Sequence, residues 1–287
     1  MHTRTVDIDG DVFVAEWDGP SDHPPYLLIH GLGGHHLNWM RLAPLLAERA
    51  RVIAFDLRGF GRTPLGPHRT TIAHNVALAE RVIAEVVGEP PILAGNSTGG
   101  VISILASARA RGLVLVDAAL PGGTFKVEPV VAASFAATLT PLVADAVTRY
   151  RTRNGLERVA LETLKLCTVD VRRVPDEVVQ AHMAMARERE LMAWTQLAFK
   201  QLTRSLIPTL LRRTSFLRAV RAVRVPTLML HGVRDRLVPI AAARAIAQVR
   251  PDWEFVQLSD LGHAPQLEDP EAVARPALRL SEALRAT

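Results

Sequence analysis

The 287-residue sequence is poor in cysteine, lysine and aromatic residues: it has one cysteine and three lysines, and aromatic residues make up 5% of it. A single cysteine, Cys167, cannot form an internal disulfide, and no cysteine and histidine spacing typical of a zinc site is present. An apolar stretch without a charged residue, 129–144, contains Pro141 and is 16 residues long. A membrane-spanning helix needs roughly 20 apolar residues. These absences argue against a disulfide framework, a bound metal and a membrane span.

The charge pattern bears on partners and location. The formal net charge is +5, and the excess of arginine lies mainly between Asp145 and Arg221. No nucleic-acid recognition motif accompanies it, so we expect a small-molecule substrate and no nucleic acid. A solvated arginine surface explains the excess more simply than an acidic substrate does. The first residues, MHTRTVDIDGD, are acidic where a secretory signal would be apolar, which predicts a cytoplasmic protein. Nothing in the pattern predicts the oligomeric state.

Strand-like and helix-like segments alternate over the first 120 residues and again after residue 225. Short apolar runs of this kind are typical of strands that are buried on both faces. The clearest of them are YLLIH (26–30), RVIAFD (51–56), PILAG (91–95), LVLVD (113–117) and VPTLMLHG (225–232). Such alternation predicts an α/β fold, with a mostly parallel, doubly wound sheet that carries helices on both faces.

The rhythm stops between residues 122 and 221, where no strand-like segment is present. This stretch has the pattern of several helices. Their breaks are expected at Pro129, Pro141, Asn154–Gly155, Pro175 and Pro208. We therefore predict one core made of residues 1–121 and 222–287, interrupted by a helical insertion over 122–221.

The segment GNSTG (95–99) fits the pattern G-x-S-x-G and stands between a predicted strand and a predicted helix. In this motif the serine, here Ser97, sits at a sharp strand-to-helix turn that exposes its hydroxyl, and glycines on either side avoid steric clashes. The five-residue pattern alone is weak, since a serine before a helix is also a common cap. Its setting favours a nucleophile.

Five motifs in order carry a wider resemblance: HGLGG (30–34), DLRGFGRT (56–63), GNSTGG (95–100), HGVRDRLVP (231–239) and LGHAPQLEDP (261–270). Together they resemble the α/β-hydrolase superfamily, specifically its members with a serine nucleophile and a helical cap. The resemblance covers 26–120 and 225–287. It implies an α/β-hydrolase core, a cap over the active site supplied by the insertion, and a catalytic triad that needs no cofactor or metal.

The superfamily's chain order, serine, then acid, then histidine, implies Asp235 as the acid and His263 as the base. Each follows a predicted strand and should emerge at the same sheet edge as Ser97, where ligands of open α/β sheets bind. Asp117 ends another strand at that edge and is an alternative acid, because some relatives place theirs there. Asp260 is better explained as a turn residue.

The resemblance also implies an oxyanion hole made by two backbone N–H groups. One belongs to Thr98, the residue after the nucleophile, and the other to Leu32 in HGLGG. That glycine-rich loop fits neither nucleotide-binding pattern, G-x-G-x-x-G or the P-loop. Asp56 and Arg58 are interpreted as structural, as are the strand-ending histidines His30 and His231.

The serine at position 97 sets the reaction class, because epoxide hydrolases and haloalkane dehalogenases of the superfamily use aspartate there. We expect a carboxylesterase-like serine hydrolase acting on a small or medium apolar acyl group. The alternative is a carbon–carbon bond hydrolase acting on a vinylogous diketone, whose nucleophile turn GNS-x-GG resembles, although Ala264 stands where those enzymes tend to have tryptophan. Perhydrolysis, thioester cleavage and a non-catalytic binding protein are further readings.

Several residues of the insertion are candidates for the pocket wall. The segment Val130–Val143 is apolar enough to line an acyl pocket or to pack the cap onto the core. Four further residues either face the site or belong to the core. They are Met183, Met185, Met192 and Trp194. The adjacent His35 and His36 are unsuited to share a metal on one helix face but are candidates for the site entrance.

Overall fold

The described residues form one sheet of eight strands. In the computed structural model, which describes residues 1–121, 155 and 157–285, the strands are β1 His2–Asp7, β2 Asp11–Trp17, β3 Tyr26–Ile29, β4 Val52–Phe55, β5 Ile92–Asn96, β6 Gly112–Val116, β7 Thr227–Gly232 and β8 Glu254–Leu258. Their order across the sheet is β1-β2-β4-β3-β5-β6-β7-β8. The first three strands in this order, β1, β2 and β4, pair antiparallel, and every pair from β4 to β8 is parallel.

Helices cover both faces of this sheet. Over the described residues they are α1 Leu42–Ala47, α2 Ile72–Val82 (continued as a π-helix over Ile83–Val87), α3 Thr98–Leu105, α4 157–167, α5 Asp176–Glu190, α6 Thr195–Leu211, α7 Arg213–Ala222, α8 Ile240–Val249, α9 Pro265–Glu268 and α10 Pro270–Arg285. Three short 3-10 turns occur at His36–Trp39, Ser107–Arg109 and Val171–Arg173.

The period of two along each strand divides the core into two apolar layers. In β3, Leu27 and Ile29 pack in the layer that includes residues of α2, α3 and α8. Tyr26 and Leu28 pack in the opposite layer with residues of α1 and α10. All four side chains are fully buried, as a strand covered on both faces requires. The predicted fold class, a mostly parallel, doubly wound sheet, is confirmed.

The helical insertion lies between β6 and β7, and over its described residues, 155 and 157–222, it contains helices and turns. Helix α5 begins directly after Pro175, as predicted. The predicted break at Pro208 is wrong, because α6 continues through it to Leu211. Proline lacks an N–H donor, so the helix loses one backbone hydrogen bond at this position, and it ends three residues later. The predictions for Pro129, Pro141, Asn154 and Val130–Val143 lie outside the described residues. None of the described helices has the length and hydropathy of a membrane span.

Candidate active site

Ser97 occupies the turn between β5 and α3 with φ 55° and ψ −118°. This conformation is strained for a residue with a side chain, and such strain clusters at functional sites. The turn is tight because the chain packs against its neighbours: a Cβ added at Gly95 would overlap the backbone of Gly99, and one added at Gly99 would overlap the carbonyl oxygen of Ile29. Both glycines of the motif are therefore required by close backbone approach.

Asn96, the residue before Ser97, connects the turn that carries Ser97 to the loop that carries His263. Its Nδ2 donates to the carbonyl oxygen of Val116 at 3.1 Å and to that of His263 at 3.0 Å. The side chain is buried, so both hydrogen bonds are shielded from water. The backbone of residue 263 is thus held next to the strand that ends at the serine. Sequence reasoning missed this role, although Asn96 belongs to the motif.

His263 and Asp235 form a buried hydrogen-bonded pair, with 2.7 Å between Nδ1 and Oδ2. The other carboxylate oxygen, Oδ1, accepts from the backbone N–H groups of Leu237 at 2.7 Å and Val238 at 3.0 Å. Burial alone would raise the pKa of Asp235, but His263 and the backbone donors lower it below its usual value. The carboxylate is therefore charged and holds the imidazole with Nδ1 as donor, which leaves Nε2 able to accept a proton.

Asp117, the alternative acid, lies beside this pair in a different state. Its Oδ1 accepts from the N–H of Gly232 at 2.8 Å, and its backbone has φ 45°. Burial and the negative charge of Asp235 raise the pKa of Asp117 well above its usual value. Two carboxylates this close and this buried do not both ionise. The raised pKa favours the neutral form of Asp117, and the structure gives it no hydrogen bond to His263.

Within the described part of the chain, Asp117, His231 and Asp235 have potential metal-ligand atoms within 4.8 Å of one another. The imidazole does not fit a metal site, because the nitrogen facing the acids, Nε2, donates to the carbonyl oxygen of Val238 at 2.8 Å. A nitrogen that carries a proton has no lone pair for a metal. The arrangement is a hydrogen-bonded acid pair with a neutral histidine beside it.

Hydrogen bonds of His30 hold the glycine-rich loop 30–34 in place. The N–H of Leu57 donates to its Nε2 at 3.0 Å, so its Nδ1 carries the proton and donates to the carbonyl oxygen of Gly31 at 2.8 Å. Burial lowers the pKa of His30 to about 4, which keeps this tautomer neutral. The structural interpretation of His30 agrees with these contacts. Gly31 also approaches the nucleophile, since an added Cβ would lie 2.9 Å from the Cβ of Ser97.

The four predicted groups Ser97, His263, Leu32 and Thr98 line one cavity of about 1160 Å³. Asp235 lies behind His263 and is buried. Thr98 is the first residue of α3, where backbone N–H groups have no partner within the helix. Loops of the core supply part of the remaining wall, and the part that comes from the helical insertion is mainly apolar. It includes Val159, Leu164, Phe199, Leu206, Ile207 and Leu210.

Glu268 is a second residue whose contribution the sequence did not reveal. Its carboxylate is almost fully buried and accepts from the backbone N–H groups of Val169 and Asp170, each at 3.0 Å, and of Gly262 at 3.1 Å. It therefore joins the insertion to the residue before His263. The sequence shows Glu268 in an EDP segment after His263, but the residues of the insertion that it contacts, Val169 and Asp170, lie 99 and 98 positions away along the chain.

The other residues singled out from the sequence have ordinary structural contacts. Asp56 accepts from the backbone N–H groups of His36 at 2.6 Å and Arg62 at 2.8 Å. Arg58 donates to carbonyl oxygens near β2, including that of Ile8 at 2.8 Å. These contacts agree with the structural interpretation of both residues.

Among the candidates for the pocket wall, His35 borders the cavity, whereas His36 forms a buried pair with Asp56 at 2.9 Å. Met185 is buried, and neither it nor Met183 lines the cavity. Asp260, on the surface, pairs with arginines as a turn residue would.

Comparisons with known proteins agree with the α/β fold described above. A model described as the alpha/beta hydrolase family matches residues 26–275. The chain is 28% identical over 264 residues to a 2-hydroxy-6-oxo-6-(2'-aminophenyl)hexa-2,4-dienoic acid hydrolase of Metapseudomonas resinovorans, covering 88% of this chain and 82% of that protein. It is 25% identical over 271 residues to Lipase 1 of Psychrobacter immobilis, covering 90% and 77%. In fold it is similar to a thermophilic esterase from Thermogutta terrifontis, with a TM-score of 0.73 at 22% identity and coverage of 99% and 100%.

Proposed function

This chain belongs to the α/β-hydrolase family, whose model matches most of its length, and we propose that it is a serine hydrolase that cleaves carboxylic esters through a covalent acyl-enzyme. The proposed nucleophile is Ser97, the base His263 and the acid Asp235. One observation carries the proposal: the 2.7 Å pair of His263 and Asp235 stands at the wall of the cavity that Ser97 also lines.

In the first step, the Oγ of Ser97 attacks the ester carbonyl carbon while Nε2 of His263 takes the hydroxyl proton. The imidazolium that forms is stabilised by the charged Asp235. Negative charge then develops on the former carbonyl oxygen. The N–H groups of Leu32 and Thr98 are the proposed donors to this oxyanion, and preorganised donors of this kind contribute strongly to catalysis.

In the second step, His263 returns its proton to the leaving alcohol, and the acyl group remains bonded to Oγ of Ser97. Water then attacks the acyl carbon, again with His263 as the base, and the collapse of the second tetrahedral intermediate releases the acid and restores the serine. Ser97 and His263 therefore act in both halves of the reaction.

The cavity favours an apolar acyl group. Its volume of about 1160 Å³ is slightly larger than the roughly 300–1,000 Å³ typical of ligand pockets. The side chains from the insertion that border it are mainly aliphatic. A medium-length acyl chain fills this space better than acetate does, so we place the preferred substrates in the medium rather than the small range.

A second candidate reaction is hydrolysis of a carbon–carbon bond in a vinylogous diketone. It is favoured by the relative from Metapseudomonas resinovorans, whose name identifies its substrate as a dienoic acid. Ala264 stands where such enzymes tend to have tryptophan, which favours the ester. Thioester cleavage and perhydrolysis use the same triad and stay further possibilities for this site, and a non-catalytic binding role is the outcome if no substrate is turned over.

The test compares Ser97→Ala with wild type on p-nitrophenyl esters of two to twelve acyl carbons and on a panel of vinylogous diketones. We expect ester turnover in wild type and a fall in kcat of about six orders of magnitude in the variant. Ser107→Ala, a serine outside the cavity beyond the same helix, is the matched control. A fluorophosphonate probe should label residue 97 in wild type alone. Unchanged turnover in Ser97→Ala would remove the mechanism, and activity only on diketones would replace the substrate class.

The location and partners proposed for the enzyme follow from the sequence. We propose a cytoplasmic enzyme with a small-molecule substrate. Fractionation of cells followed by immunoblotting tests the location, and recovery of the protein outside the cytoplasm would contradict it.

A further inference from the structure

Helix α5, Asp176–Glu190, presents one face to the glycine-rich loop 30–34 and the residue after it. His182 and Arg189 are seven residues apart, which is two helical turns, so both lie on this face. The ring of His182 lies 4.9 Å from the ring of His35. Arg189 reaches the loop itself. The helix therefore contacts the segment that carries a proposed oxyanion donor, Leu32.

Arg189 makes a directed contact with this loop. Its Nη1 donates to the carbonyl oxygen of Gly33 at 2.8 Å. The guanidinium also lies 5.8 Å from the centre of the fully buried ring of Phe60, within the range of a cation–π contact. The side chain is thus oriented on two sides. Gly33 itself has φ 80° and no side chain that would restrict it.

Two planar peptide groups connect this contact to the oxyanion hole. The carbonyl of Gly33 belongs to the same peptide as the N–H of Gly34, which donates to the carbonyl oxygen of Gly31 at 3.0 Å. The carbonyl of Gly31 in turn belongs to the same peptide as the N–H of Leu32. In a trans peptide the carbonyl and the N–H point in opposite directions, so orienting one orients the other.

We propose that Arg189 is a positioning residue for the oxyanion hole: by holding the Gly33–Gly34 peptide it fixes the Gly31–Leu32 peptide and aims the N–H of Leu32 at the reacting oxygen. This inference rests on the proposed function of Leu32. It assigns the insertion a part in the chemical step, in addition to forming the pocket wall. Arg189 also borders the cavity, and the proposed role acts through the loop and needs no contact with the reacting atoms.

The test replaces Arg189 with methionine, which keeps the apolar stem and removes the donor, and with lysine, which keeps a charged donor. Two controls separate the effect of the connection from Arg189 through the two peptide groups to Leu32, here called the relay, from other effects. Arg187→Met removes the same charge from the same helix, where Arg187 pairs with Glu157 at 3.0 Å on the surface. Glu188→Gln weakens a different contact between insertion and core, the 2.8 Å pair with Arg62.

We expect Arg189→Met to lower kcat by about 10- to 100-fold, part of the 10²–10³ that removing an oxyanion donor costs, with KM changed less than about threefold. A boronic acid that mimics the tetrahedral intermediate should lose affinity in parallel with kcat/KM. Arg189→Lys should recover part of kcat. The two controls should stay within about twofold of wild type. A KM-only effect, an unchanged kcat, or an equal loss in Glu188→Gln would overturn the proposal.

Hydrogen–deuterium exchange separates this proposal from the proposed function. The amide of Gly34 should exchange faster in Arg189→Met than in wild type or in either control, whether or not the protein cleaves esters. Wild type that neither turns over esters nor reacts with the fluorophosphonate contradicts the esterase, and the exchange result then decides the relay alone. Unchanged exchange at Gly34 would refute the relay even in an active enzyme.

Discussion

The two buried acids beside the histidine provide the sharpest test of the proposed triad. Asp235→Asn and Asp117→Asn are the same chemical change, made at neighbouring positions whose side chains are both fully buried. Asp235 is charged and hydrogen-bonded to His263 at 2.7 Å, whereas burial and the charge of Asp235 raise the pKa of Asp117 well above its usual value and favour its neutral form. An amide closely resembles a protonated carboxyl group, so only the first substitution should change the charge that His263 experiences.

The magnitude follows from the lost ion pair. An imidazolium and a carboxylate whose charge centres are about 4 Å apart interact by roughly 4 kcal/mol at an effective dielectric constant near 20. At about 1.4 kcal/mol for each factor of ten, kcat of Asp235→Asn should fall about a thousandfold. The amide also favours the wrong tautomer of His263, which extends the expected loss toward about 10⁴. Asp117→Asn should stay within about threefold of wild type, less than roughly 0.7 kcal/mol in the barrier.

Steady-state kinetics on one ester at pH 7 measures both values. Unfolding in urea adds a second readout with a definite sign. Between the pKa of an unfolded aspartate, about 3.9, and the raised pKa of Asp117 in the folded protein, wild type takes up a proton at Asp117 on folding, at a cost of about 1.4 kcal/mol per pH unit. Asp117→Asn should therefore gain stability over wild type as the pH rises from 4 to 7. A collapse of kcat in Asp117→Asn with an active Asp235→Asn would refute the assignment and identify Asp117 as the acid.

Two further predictions concern stability. Burial lowers the pKa values of His30, His182 and His231, so the unfolded chain binds protons more readily than the folded protein below about pH 6.5. The free energy of unfolding should therefore fall by up to about 1.4 kcal/mol per pH unit for each histidine as the pH is lowered. Thermal unfolding at pH 7, 6 and 5 measures this, and a flat profile would contradict it. Gly99→Ala places a Cβ into the backbone of β3 and should lower the free energy of unfolding in urea by about 3 kcal/mol. The control Gly88→Ala, at φ 87° with open space around it, should lower it by about 1–2 kcal/mol. Equal losses would show that the turn at Ser97 relaxes around the added methyl group.

The sequence predicted the central strands well because each is apolar along its whole length. A run such as VIAF in β4 is buried on both faces, and this leaves an unbroken signal. Strand β1, His2–Asp7, gave no such signal: its side chains are exposed almost throughout, since it pairs only with β2 at the sheet edge. Its position depends on backbone hydrogen bonds to β2, which any residue except proline can supply.

The candidate site was predictable only where a motif sits at a strand end. Ser97, Asp235 and His263 each follow a core strand, so the topology of a parallel sheet brings them to one edge. The groups that hold them were not predictable. Asn96 and Glu268 act on partners that only the folded insertion and loops bring near them, and no local pattern distinguishes such a side chain from an ordinary polar one.

The helical insertion contacts all three loops of the proposed site. Substitutions in the insertion are therefore expected to affect more than the choice of substrate. Arg189 holds the glycine-rich loop. The carbonyl oxygen of Cys167 accepts from the N–H of Ala264, directly after the histidine, at 2.9 Å. The carbonyl oxygen of Thr168 accepts from Arg236, directly after the acid, at 3.0 Å. A segment that formed only a pocket wall would alter which acyl groups bind. Because this one also supports the loops that carry the proposed acid and base, we expect substitutions at these contacts to alter the barrier itself, so that substrate range and rate would be coupled through the same helices.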